Sequence, residues 1–231
     1  MTVGEFAARP QLSEDVARFV RTRIFDGTYA SGRYIRMEQL AAELGISVTP
    51  VREALFELRA EGLLAQQPRR GFVVLPVTRS DITDVSEVQA HVGGELAARA
   101  AANITAEQLA ELKSIQARLE SAYNGDDEDL VVRLNHDFHR AINVAAGSPK
   151  LSQLMSQITR YAPEAVFPGV SGWPAKSTKD HRRLLAALAK HDSELARAAM
   201  SEHLAAGADP LIEHLMSRGV IEPTESAGPH S

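Results

Sequence analysis

Apolar residues recur at helical spacing near the start of the chain, where Val16, Val20 and Ile24 form a four-residue series beside Phe19 and Arg23. That pattern predicts a helix over residues 13–26. Ser13 followed by Glu14 and Asp15 suits its start, and Gly27 ends it. Residues 28–33, with Gly32, read as a loop, and a second helix is expected over 36–44, stopped by Gly45. Ile46, Ser47 and Val48 make a short turn. Thr49 or Ser47 caps the next helix, and Pro50 fits its first turn, where a missing N–H costs no intrahelical bond. In this third helix, TPVREALFELRAEG, Val51, Leu55 and Leu58 point to the core while Arg52, Glu53 and Arg59 lie elsewhere. The period then shortens: residues 63–66 and 72–75 read as strands, joined by Gln67-Pro68-Arg69-Arg70-Gly71, a hairpin whose glycine permits close backbone approach. Two helices, a tight turn and a basic hairpin in this order predict a winged helix-turn-helix.

Pro76 breaks the strand pattern. Helical periodicity follows over 79–102, 105–122, 127–146, 149–165, 175–190 and 193–217, interrupted by short polar breaks such as Asn124-Gly125-Asp126 and Gly147-Ser148-Pro149. Residues 167–174, with two prolines and two glycines, form the one extended loop, and no strand is expected after residue 76. The fold class is therefore mostly α, a winged helix-turn-helix followed by an all-helical bundle. Its parts are a flexible N-terminus (1–11), the DNA-binding domain (12–75), a linker (76–79), the helical domain (80–219) and a disordered tail (220–231).

Composition narrows the picture. The 231 residues suit two modest domains, each able to bury a core. Cysteine is absent, which excludes disulfides and thiolate metal sites and makes a reducing cytoplasm the simplest compartment. No apolar run reaches membrane-spanning length and no signal-peptide succession appears, so a soluble protein that is not exported is expected. The net charge of −5 opposes DNA binding at first sight. Its distribution does not: residues 1–75 hold 10 basic and 9 acidic residues, leaving 15 basic and 21 acidic for the remainder. All ten basic residues of the first part are arginine, the planar donor suited to phosphate and guanine, so a localised contact surface is expected.

A recognition helix presents its N-terminal residues to base edges while the wing and helix ends hold phosphates. Arg52 stands on that first turn, where a guanidinium can bond guanine O6 and N7 together; the alternative is a surface ion pair with Glu53 or Glu38. Ser47 and Thr49 can hold a phosphate or simply cap the helix. Arg69 and Arg70 beside Gly71 are placed for backbone or minor-groove contact. These residues resemble the GntR family of bacterial transcription regulators over residues 12–75, through TYASGRYIRMEQLAAELGIS, TPVREAL, Leu58, EGLL and RRGFVV. The resemblance implies a regulator of transcription that binds a double-stranded DNA operator. Family members usually carry a DNA-touching Arg just before the Thr-Pro pair, where this chain has Val48. A valine there suits a thymine methyl, so an operator unlike the family's commonest half-site is expected.

The eight histidines supply further candidate chemistry. Asn135 and His139 are four residues apart and share a helix face. If the last two helices form an antiparallel hairpin turning at Asp192, His181 and His203 lie equally far from the turn and level with each other. Two such imidazoles, with a third and an amide oxygen from a facing helix, either pack by hydrogen bonding or bind a divalent metal. His136 and Asp137 point away from the Asn135/His139 face and read as surface; His91, His191, His214 and His230 read as surface or packing residues. This part resembles the FadR-type subgroup with a helical FCD effector domain over about residues 80–217, which in many members carries a metal bound by Asp or Asn and three His. The resemblance implies Asn135, His139, His181 and His203 as ligands, through NHDFH, KDHRRLLAALAKHD and ARAAMSEHL. Zn or Ni suits the imidazole count. Subgroup members often have Arg and Glu where this chain has Gln89 and Gly93; Gln89 can still bond an effector oxygen. Four neutral ligands leave the ion its full charge, which favours an anionic effector such as a carboxylate. The expected function is a homodimeric transcription repressor controlled by a small organic acid. The alternative is a metal-dependent enzyme of the helical bundle, disfavoured because no HExxH motif appears.

Overall fold

The computed structural model describes residues 10–161, 167 and 170–221, and divides them into two compact units. The first unit contains α1 (Pro10–Phe25), β1 (Tyr34–Ile35), α2 (Met37–Leu44), α3 (Val48–Ala60), β2 (Leu64–Gln67) and β3 (Gly71–Val74). Helix α1 begins three residues before Ser13, so Ser13 is an internal position and not the cap. Its buried stripe is Val16, Ala17, Val20 and Ile24, and it meets α3 through Val51, Ala54, Leu55 and Leu58, each 0% exposed. Arg21 of α1 reaches Glu61 at the end of α3 through paired bonds of 2.6 and 3.0 Å, in a largely buried setting where charge pairing is needed to offset desolvation. Gly45 closes α2 in the left-handed conformation, as expected. Val48, expected in the turn, is the first residue of α3, which makes Pro50 its third.

The sheet order is β1-β3-β2, antiparallel throughout. Strand β1 was not expected: two residues are too few to show a period, and it exists because β3 offers partners, with Tyr34 opposite Val73 and Ile35 opposite Phe72. Gly71 allows this approach. A Cβ there would stand 2.5 Å from the Ile35 carbonyl oxygen, and its φ of +94° already disfavours any other residue. Leu215–Ile221 group with this unit rather than with the helical domain, which was expected to run to residue 219. Ile221, expected in the disordered tail, is 4% exposed; residues 222–231 and 1–9 lie outside the described residues.

The second unit, Ser80–His214, has helices and no strand among its described residues: α4 (Arg79–Asn103), α5 (Ala106–Ala122), α6 (Glu128–Ala145), α7 (Pro149–Thr159), α8 (Trp173–Ala189), α9 (Ser193–Ala205) and α10 (Ala208–Ser217) as far as His214. Caps fix three of the starts. Thr105 and Gln108 form a reciprocal capping box on α5, and Asp127 and Asp192 accept from Leu130 and Leu195 at the starts of α6 and α9. Helices α5, α6, α8 and α9 enclose a core of Leu112, Leu119, Phe138, Ile142, Leu184 and Leu188. Three predicted boundaries move. Helix α7 stops at Thr159, and the expected continuation over residues 162–165 lies outside the described residues. Helix α8 starts at Trp173 with Pro174 in its first turn. The single helix expected over 193–217 is two, because Pro210 removes the bond to the Ala206 carbonyl and the Phe167 ring presses against Gly207.

Along α4, Gly94 marks the closest approach of α9. A Cβ at this position would collide with Ser201 Oγ, whose hydroxyl already donates to the Ala90 carbonyl at 2.8 Å, and would lie 3.2 Å from the Arg197 carbonyl oxygen. Gly94→Val should therefore lower the unfolding free energy by about 1–3 kcal/mol, the usual cost of overpacking. Urea denaturation of the full chain measures this, and unchanged stability would show that α9 can retreat freely.

Candidate nucleic-acid interface and metal centre

In the first unit, Ser47 is the N-cap of α3 by position, with extended backbone at φ −72° and ψ 157°, yet its side chain makes no capping bond. Thr49 is the second helical residue and not the cap. Both hydroxyls are exposed and remain available to an external acceptor or phosphate. Arg52 is exposed, but with α3 beginning at Val48 it is the fifth helical residue and opens the second turn rather than standing on the first; among the described residues it pairs with neither Glu53 nor Glu38. Val48 is half-buried at the helix start. The helix is held from behind by its fully buried Val51, Leu55 and Leu58, so its exposed first turn sits on a rigid support.

Arg69 and Arg70 occupy the exposed tip of the β2–β3 hairpin, where Arg69 takes a φ of +64° and the Arg70 N–H donates to the Gln67 carbonyl at 3.1 Å. Two neighbours were missed in the sequence. Tyr34 of β1 lies under the Arg70 guanidinium, 5.7 Å from ring centroid to carbon, and its hydroxyl accepts from Arg70 at 3.4 Å. Arg36, the exposed N-cap of α2, has its Cα 3.4 Å from the position a Cβ would take on Gly71. The unexpected strand brings both residues to the wing; a basic and an aromatic residue in YIRMEQ were the only available signal.

In the second unit, the hairpin geometry anticipated from sequence is observed. His181 on α8 and His203 on α9 have ring centroids 4.8 Å apart, and His139 on α6 completes the group at 5.2 and 5.3 Å. One ligand nitrogen from each lies within 4.8 Å of the others. His181 is 0% and His203 5% exposed. Phe138 stacks on His181 at 4.1 Å, and Trp173, itself stacked on Phe167, lies 5.9 Å from His203. Aromatic walls thus remove water from three imidazoles. His139 as a residue is half-buried, but its ring is enclosed, and desolvation holds its pKa down at about 3, with His203 and His136 adding to the effect. Burial likewise pushes His181 well below the ordinary histidine value. Both rings are neutral at neutral pH, the state that ligates metals.

Polar neighbours orient the rings. His181 Nδ1 lies 2.8 Å from Gln116 Oε1, and His203 Nδ1 lies 3.3 Å from Asp180 Oδ2. Asp180 also accepts from Lys176 at 2.6 Å; its carboxyl is held at about 2, first by the bond to His203 and then by Lys176, against a desolvation that opposes both. His181 Nε2 is buried and has no partner. Nitrogens sharing one ion stand roughly 3–4 Å apart at metal–nitrogen distances of about 2.1 Å, so a contraction of about 1 Å would let the three rings meet a single cation. The orphaned nitrogen and the three imidazoles together fit a divalent metal.

The remaining expected site residues are placed differently. Asn135 is half-buried one turn before His139. Gln89 is 6% exposed and donates to the Ile158 carbonyl at 3.3 Å, which ties α4 to the end of α7. At Gly93 the space a side chain would fill is taken by Leu204. Of the histidines read as surface or packing residues, His91, His136 and His191 are exposed, His191 also bonding the Ala101 carbonyl at 2.7 Å, and His214 is half-buried; His230 lies outside the described residues.

Residues 12–74 match the gntR family of bacterial regulatory proteins, and residues 84–206 match the FCD domain. The HTH-type transcriptional regulator McbR of Escherichia coli K12 is 27% identical over 198 residues, covering 83% of this chain and 88% of that protein. A "Probable D-xylose utilization operon transcriptional repressor" of Paenarthrobacter nicotinovorans is 28% identical over 199 residues, covering 86% and 88%. Among solved structures, E. coli McbR/YncC superposes with a TM-score of 0.70 at 25% identity, over 87% of this chain and 97% of that one. A GntR regulator from Rhodococcus sp. RHA1 shares the fold, with a TM-score of 0.60 at 22% identity over 87% and 97%.

The depressed pKa of His139 has a measurable consequence. In the unfolded chain the imidazole titrates near 6.5, and in the fold near 3. Between these limits the unfolded state binds the extra proton, so stability falls as pH falls. Metal-free protein should lose up to about 1.4 kcal/mol per pH unit from this group. Urea unfolding from pH 7 to pH 5, compared with His139→Gln, isolates the effect, and equal slopes would show that the ring is not held neutral.

Proposed function

We propose that this chain, which belongs to the gntR family of bacterial regulatory proteins and carries an FCD domain, is a homodimeric repressor released from or held on its operator by a small carboxylate. At the coarser level the assignment is direct: the protein is a DNA-binding transcriptional regulator, as its family and relatives are, and not an enzyme. Repression is supported by the relative named as an operon repressor. Among the described residues no helix is long and apolar enough to cross a membrane, and a cytoplasmic location beside the operator fits this reading.

Arg52 reads a guanine from the start of the second turn of α3, Val48 lies against a thymine methyl, and Ser47 and Thr49 hold the neighbouring phosphate. Arg69 and Arg70, with Gly71 between hairpin and sheet, follow the backbone from the wing. Two-fold symmetry places two such helices in successive major grooves of a pseudo-palindrome. In the second unit His139, His181 and His203 hold a divalent ion, Zn or Ni by donor type, with the Asn135 amide as the fourth ligand. The ion would supply a positive, Lewis-acidic point for a carboxylate oxygen. The Asp180 charge next to His203 is balanced by Lys176, so the centre keeps its preference for an anion. Gln89 is the candidate polar contact on α4. The ligand acts through different affinities for DNA-competent and incompetent arrangements, which is the only route by which binding can shift the output.

The observation that carries the sensing half is the buried His181 Nε2 with no partner, inside a group of three imidazoles. His181→Ala should abolish stoichiometric Zn uptake and the melting shift caused by small carboxylates. Metal analysis and a thermal-shift series check this, and full metal content in the variant would overturn the centre. For the output half, Arg52→Ala should cost about 1–3 kcal/mol of operator affinity and relax one base position. Binding to operator and single-base variants at fixed salt decides it; an unchanged base preference removes Arg52 from the reading set.

A further inference from the structure

Gln116, on α5, belongs to none of the motifs above, yet it is 3% exposed and bonds a proposed metal ligand. Its own orientation is dictated from outside. Arg182, a donor only, binds Glu120 through bonds of 2.6 and 2.9 Å and holds its carboxyl below the usual range. The ionised Glu120 can only accept, so the group facing it at 3.0 Å must be the Gln116 amide nitrogen. The amide oxygen is thereby turned toward His181 Nδ1 at 2.8 Å. An amide oxygen also only accepts, so His181 carries its proton on Nδ1 and presents a bare lone pair on Nε2. That nitrogen is the one left buried without a partner.

We infer that Gln116 is a positioning residue for the metal centre: through the chain Arg182–Glu120–Gln116 it fixes the tautomer of His181 that binds metal through Nε2. The inference rests on the metal reading of the histidine group. Without Gln116 the ring has no acceptor at Nδ1. It then distributes between two tautomers and rotates against Phe138, whose stacking at 4.1 Å constrains the plane of the ring but not the position of its proton. The arrangement differs from that at His203, where a carboxylate serves as the acceptor. His181 therefore receives orientation without an added charge, and the centre gains one anionic neighbour instead of two. Neighbours of this kind typically change metal affinity 10- to 100-fold when removed.

Four full-length proteins test this: wild type, Gln116→Met, the double exchange Gln116→Glu with Glu120→Gln, and His181→Ala. The exchange reverses the amide and the carboxylate, so His181 keeps an acceptor and Arg182 keeps a partner. Zn affinity is measured by competition with a chelating dye, and the position of the His181 proton in metal-free protein by long-range 15N–1H correlation. Wild type should show the Nδ1–H form. Gln116→Met should lose that form and bind Zn about 10- to 100-fold more weakly, and the exchange should restore both. Unchanged Zn affinity and tautomer in Gln116→Met overturn the role of Gln116 while leaving the centre standing. Loss in Gln116→Met that the exchange does not restore also overturns it, in favour of simple packing. A wild type that binds no Zn, or binds it as well after His181→Ala, overturns the metal reading itself.

Discussion

His139 and His181, enclosed with their ring centroids 5.2 Å apart, are held uncharged because burial denies them the water that would stabilise a charge. The helical unit is organised around this restriction. Phe138 and Trp173 supply the dry walls, Gln116 and Asp180 take the Nδ1 positions of His181 and His203, and α5, α6, α8 and α9 each contribute a residue from a buried face. The apolar core around Leu112, Leu119 and Leu188 stabilises the bundle. Within this polar interior His181 Nε2 has no partner among the described residues, although buried polar groups normally have one.

The winged unit follows a different logic. Its core residues in α3 are completely enclosed, and the Arg21–Glu61 pair joins the far end of α3 to α1. Its outward arginines at positions 36, 52 and 69 instead make no ion pair among the described residues. Their charge is not neutralised by pairing within the fold. The overall negative charge of the chain is therefore compatible with DNA binding, since counter-ion release depends on the cations at the interface and not on the total.

Much of this was legible in the residues. Val51, Leu55 and Leu58 show the buried face of α3, Gly45 its approach, and the equal distances of His181 and His203 from Asp192 place two rings side by side. What escaped were features with no period to detect. Strand β1 is two residues long and depends on its partner β3. Gln116 and Asp180 look like ordinary polar helix residues until tertiary packing puts them beside a ring. The break between α9 and α10 was present in the sequence as Pro210 and was overridden by the apolar pattern around it. Asn135 carries the resemblance to the subgroup whereas Gln89 and Gly93 depart from it, and the environments of those two are set by Ile158 and Leu204, neighbours that no motif identifies.

The level arrangement of His181 and His203 also limits how the gene can vary. Both residues are read off a count from the Asp192 turn, and a helix advances 100° and about 1.5 Å per residue. One codon gained or lost inside α8 or α9, between either histidine and the turn, would swing an imidazole out of the group while leaving every histidine in the sequence. The count of residues to the turn is therefore as strict a condition for the group as the histidines themselves.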